Sequence, residues 1–126
     1  MSLEHIPLMS DLKQLDEVKL TAILDRISIK QTELTEEAGT GNPSKFAIAE
    51  EFLISQRKEL VLVQEQLTGY ANALRGQPEN AVTAEVSRLV DRLAMIENYA
   101  YRLQRQCYSM FESARIMMRT RSASAA

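Results

Sequence analysis

Few residues in this chain have a side chain suited to chemistry, and their spacing limits what they could do. There is one histidine, His5, and one cysteine, Cys107. A structural zinc site draws on about four ligands, mostly Cys and His, so one of each cannot build it. A single cysteine also excludes an internal disulfide. A thiol nucleophile needs a base and an electropositive, accessible setting. Cys107 falls instead on an apolar repeat described below, where it reads as a small buried hydrophobe. The carboxylate pairs Asp16-Glu17, Glu36-Glu37 and Glu50-Glu51 are adjacent in sequence. Neighbours on a helix point apart, so these are not ready acid–base dyads. A di-iron bundle would need Glu-x-x-His elements, and none occurs. Gly39-Thr40-Gly41-Asn42-Pro43-Ser44-Lys45 is glycine-rich and opens a helical run. It lacks the spacer and the Gly-Lys-Ser/Thr ending of a phosphate loop, and it follows a helix instead of a strand. It reads as an interhelix loop. The expectation is a non-enzymatic protein with no catalytic, cofactor-binding or metal-binding residue.

Charge is the second chemical signal. Residues 1–74 hold 7 basic and 12 acidic side chains, and residues 75–126 hold 8 basic and 5 acidic. All eight basic residues of the second part are arginines. Two readings follow: an acidic half folded against a basic half, or an anionic partner at the C-terminal end. Tyr101, Tyr108, Met110, Phe111, Met117 and Met118 cluster in the last third beside Arg115, Arg119 and Arg121. Core packing is their first explanation, but Met-rich surfaces also suit adaptable protein binding. Tyr108, Phe111, Arg115, Met118, Arg119 and Arg121 are therefore the candidate partner-binding residues.

The elements that position these residues follow from periodicity. The chain has 126 residues, 45% hydrophobic and 25% charged, with four Gly and three Pro. That is one globular domain, expected over residues 1–121, with too few turn residues for a many-stranded β fold. No run of eighteen apolar residues exists, so no membrane insertion is expected. Two turn clusters, at residues 39–44 and 76–80, leave three helix-permissive runs. Residues 10–38 read as an amphipathic helix capped by Ser10, imperfect in phase because Leu15 to Leu20 is a step of five. Residues 44–74, with Ser44 able to cap, carry a seam from Phe46 to Leu74 at unbroken steps of three and four. Only Gln56 in it is polar. Residues 80–119, capped by Asn80, carry a matching seam from Val82 to Met117. Steps of three and four sustained over several heptads predict coiled-coil helices. The tail, residues 122–126, has nothing to bury and is expected to fray.

The two seams fit each other. A short connection makes neighbouring helices antiparallel, so facing residue numbers have a constant sum. Leu74 with Val82, Leu60 with Ile96, Gln56 with Ala100 and Phe46 with Met110 all sum to 156. Every seam position of the second run meets one of the third, and a one-residue change in the loop would destroy the match. Gln56 opposite Ala100 is a polar layer whose replacement by leucine is expected to stabilise. Val90, Met95, Tyr99, Phe111, Met118, Ile48, Phe52, Ile54 and Leu62 lie outside the seams, where a two-helix hairpin cannot bury them. The first run covers part of them, giving an all-α three-helix bundle. The remainder points to self-association or a partner.

The expected function is protein–protein interaction through helical surfaces, in an adaptor, assembly or chaperone-like role. The partner is a second copy, a dimer being the expected order, or another protein. In size and architecture the arrangement is similar to small helical chaperones and stalk proteins of flagellar and type III secretion systems. That likeness implies an export chaperone or stalk protein as an alternative, and no family motif accompanies it. Nucleic-acid binding through the arginine-bearing end is the competing class, disfavoured by a pI near 5.5 and the absence of a known motif. No signal peptide is read at the N-terminus, so a cytoplasmic setting is expected.

Overall fold

The computed structural model describes residues 6–37 and 42–125, with side chains described as far as Thr120. Its elements are α1 (Met9–Gln14), a π-helical stretch (Leu15–Leu20), α2 (Thr21–Glu37), α3 (Pro43–Ala73) and α4 (Ala81–Ala125). The first three follow one another without a break and form one rod. His5 and residues 39–41 of the interhelix loop lie outside the described residues.

The caps explain where the helices begin. Ser10 is not the first cap. The rod starts after Leu8, where the Asp11 carboxylate accepts from the Leu8 N–H at 2.8 Å. Pro7, fully buried, anchors the chain just before it. Ser44 does not cap α3 either: the Asn42 carboxamide accepts from the Ser44 N–H at 3.1 Å, and Pro43 takes the first helical position. Proline suits that position because its missing N–H would have had no partner there. Asn80 caps α4 as expected, accepting from the N–H groups of Val82 at 2.9 Å and Thr83 at 3.1 Å. The Thr83 hydroxyl completes the exchange by accepting from the Asn80 N–H at 2.8 Å. Gly76 closes α3 in the left-handed region, φ +83°, which other residues rarely adopt. α4 runs on past Arg119 and is helical to Ala125. Its last residues, Ser, Ala and Arg, include no Gly or Pro to stop it.

The heptad arithmetic describes the hairpin. The α3 seam is buried at every position from Phe46 to Leu67, and the α4 seam at every position from Val86 to Cys107. The Arg57 guanidinium reaches Glu97 at 2.7 Å and donates to Gln104 at 2.8 Å. Its ring partner, Tyr101, lies between those two residues in sequence. These residues bracket position 99, the level at which a register sum of 156 sets position 57.

The rod packs on one side of this hairpin, antiparallel to α3 and parallel to α4. Arg26 pairs with Glu59 at 2.8 Å, Lys45 pairs with Glu37 at 2.8 Å, and Lys30 lies over the Phe52 ring. On α4, Arg88 and Arg92 both hold Asp16, and the Tyr99 hydroxyl reaches Gln31. Phe52 and Tyr99 are half-buried by the rod, as the leftover apolar residues required. Ile48, Leu62, Val90 and Met95 stay exposed. Gln56 is 5% exposed and accepts from Arg26 at 3.0 Å. The layer therefore holds a satisfied amide tied to the rod, and Gln56→Leu forfeits that charge-assisted bond as well as a polar group. The gain expected from removing a buried amide is offset.

The five-residue step in the rod has a structural cause. Between Leu15 and Leu20 the helix widens, and the Thr21 N–H bonds the Asp16 carbonyl five residues back. One extra residue per turn brings Leu15 and Leu20 onto the same buried face as Leu12, Ile23 and Ile27. Such a widening amounts to a one-residue insertion in an α-helix. Deleting exposed Glu17 should therefore restore a regular helix with Leu15 and Leu20 still facing the core. Urea unfolding of that variant should stay cooperative, with a midpoint close to the parent. A molten, non-cooperative transition would show that the wide turn itself is required.

Candidate interaction surface

Position 43, the start of α3, faces residue 113 of α4 in the hairpin register, and Glu37, the end of α2, lies beside Lys45. Residues 114–125 of α4 therefore project past both neighbours, over about 18 Å at helical rise. Ala114 is still buried, but Ile116 is 57% exposed, Met117 52% and Met118 51%. Three successive residues on a helix spread over most of its circumference, so the projection is apolar on several sides. Arg115 is exposed and pairs with Glu112 at 2.8 Å, and Arg119 is exposed.

A second surface lies on the hairpin face away from the rod. Every described contact of the rod falls on the other side of α3 and α4. On the open side, α4 carries a further stripe from Val90 to Met118 at alternating steps of four and three. Tyr108, Phe111, Arg115 and Met118 are its last four positions. The helix thus brings four of the six candidate residues onto one line. Tyr108 is 57% exposed, whereas Phe111 is half-buried against the core and serves as the floor of this end. Arg119 flanks the line, and the Arg121 side chain lies outside the described residues. Nearer the turn, the stripe borders a groove of about 660 Å³ between α3 and α4. Leu60 and Leu93 form its floor, Ile54, Val61 and Ala94 its walls, and the Arg57–Glu97 pair crosses it.

Charge on this open face is divided along its length. Asp91 and Glu97 lie in the first half of α4; Arg105, Arg115 and Arg119, with Glu112, lie in the second. Arg88 and Arg92 add nothing to the first half because they face the rod and hold Asp16. Ile116, Val61, Ala94 and the run of the stripe through Glu97 and Gln104 were not among the sequence candidates. For Ala94 and the stripe the signal was a second spacing of fours and threes, interrupted by Glu97, Gln104 and Arg115; Ile116 and Val61 lie off that spacing.

Among the described residues, no group of three or more His, Cys, Asp or Glu side chains converges as a metal site would require. No helix among them is long and apolar enough to cross a membrane. Comparison of the chain with protein-family models, with curated proteins and with solved structures finds no match.

Cys107 is fully enclosed in the hairpin seam. Burial pushes its thiol up to about 11, and the Glu50 carboxylate adds repulsion against a thiolate. Because the thiolate is the reactive form, the native thiol is starved of nucleophile. Ellman's reagent at mildly alkaline pH should modify Cys107 at least ~100-fold more slowly in the native protein than in guanidinium chloride. Equal rates in the two states would mean that the α3–α4 seam opens readily.

Proposed function

We propose that this chain is a helical protein–protein interaction module that associates through α4. The observation that carries this reading is the projecting end of α4, where Ile116, Met117 and Met118 stand half in water between arginines. Isolated exposed apolar side chains are ordinary, but a contiguous apolar group at a projecting helix end marks an interaction site. Methionine side chains are flexible and polarizable, and so suit a helical partner surface. Arginine adds donors that order such a contact at its rim. Nucleic acid fits this end less well: a phosphate backbone calls for basic groups without an intervening apolar row, and Glu112 already engages Arg115.

Shortening the chain tests this reading. Ala114 is buried and Phe111 half-buried, so a chain ending at Arg115 keeps the whole core and loses only the projection. Its circular dichroism and melting midpoint should stay close to those of the full chain, while association measured by light scattering and affinity capture weakens. Met118→Asp in the full-length chain should do the same without shortening it. Association of both variants at parental strength would contradict the proposal, and unfolding of the shortened chain would place the projection in the core.

A further inference from the structure

We infer that the open face of α4 receives a second copy of this chain in antiparallel orientation, with Gln104 at the twofold axis. The antiparallel dimer rests on the reading of α4 as an association surface and specifies its occupant. Three observations point to it.

The first is charge. The exposed face of α4 carries Asp91 and the Arg57-paired Glu97 in its first half, and Arg105, Arg119 and the Glu112-paired Arg115 in its second, leaving it acidic at Asp91 and basic at Arg105 and Arg119. A parallel pair would stack arginine on arginine. An antiparallel pair centred on Gln104 sets Asp91 within a turn of Arg119 of the other copy and Arg115 about one turn from Glu97. The second is spacing. A stripe of fours and threes nearly reproduces itself on reversal: about Gln104, Val90 faces Met118 and Glu97 faces Phe111, while Tyr101 and Tyr108 come within one residue of facing each other. Each copy thus meets the same patch on the other, as a closed twofold interface requires. The third is length. α4 spans Ala81–Ala125, and Gln104 lies one residue from its midpoint. A pair centred there lays residues 114–125 of each copy along residues 83–94 of the other. The projection that α3 and the rod leave bare is then covered by the first half of the second α4.

Cysteine crosslinking in full-length chains with Cys107→Ala reads this geometry directly. Gln104→Cys should give a disulfide-linked dimer on mild oxidation. Tyr101→Cys alone should not, because two such residues sit several residues apart across the axis, but mixed with Tyr108→Cys it should crosslink. Arg115→Glu with Arg119→Glu should raise the dimer dissociation constant at least ~10-fold, and adding Asp91→Arg should recover part of that loss. A monomer at micromolar concentration with no Gln104→Cys crosslink overturns the dimer. If α4 truncation still abolishes capture of a foreign protein, the association reading survives without it. A dimer that crosslinks through Met117→Cys but not Gln104→Cys overturns the register, and a dimer indifferent to the charge reversals overturns the orientation.

Discussion

The structure depends on one constraint, the register in which α3 and α4 lie against each other. A turn of seven residues joins them, so they must run antiparallel, and the turn length sets which seam positions meet. Each seam position is apolar except Gln56, and a shift of one residue would turn both rows out of the interface. Leucine and isoleucine burial at about 1.5–3 kcal/mol per side chain makes such a shift prohibitive over nine layers. Everything else on the hairpin follows from this register. It sets the side on which the rod finds apolar residues. It fixes how far α4 projects. It also leaves the Val90–Met118 stripe facing away from the rod.

The rod is held by different means from those that locate it. Its ion pairs to α3 and α4 are largely solvent-exposed, and pairs of that kind contribute about 0–1 kcal/mol each. Leu12, Leu20 and Ile27 are fully buried and contribute more apiece. The apolar face therefore holds the rod against the hairpin, and the polar contacts set its position along it. Arg26 is the clearest locator, because it joins the buried Gln56 layer and Glu59 at once. The wide turn at Leu15–Leu20 serves the same packing: without that widening, its extra residue would rotate α1 about 100° away from the core.

The hairpin and its register were legible in the sequence because strict spacing and a short turn leave one solution. The Asn80 cap was legible because its helix begins straight after a turn cluster. The caps at Leu8 and Asn42 were each missed by two residues, since Ser10 and Ser44 offered the commoner capping side chain while Asp11 and Pro43 decided the geometry. The five-residue step was visible, but it read as poor phase; a widened helix leaves no residue-type signature. The partner of Gln56 was out of reach, because Arg26 lies off the rod's apolar face and the seam arithmetic says nothing of it. Of the candidate surface, Tyr108, Phe111, Arg115 and Met118 were found by residue type. Their continuity with Val90, Ala94 and Tyr101 emerged only once the rod was seen to occupy the other side.

Because the register underlies the buried core, the exposed stripe and the projecting end together, a crosslink within one chain tests it most directly. Leu60→Cys with Ile96→Cys, in a Cys107→Ala background, places two thiols in one layer of the seam. Oxidation should yield a disulfide within single chains, seen as a faster-migrating monomer on a non-reducing gel at every protein concentration. Crosslinks that form only between chains, and fade on dilution, would contradict the hairpin and put an extended or exchanged pair of helices in its place.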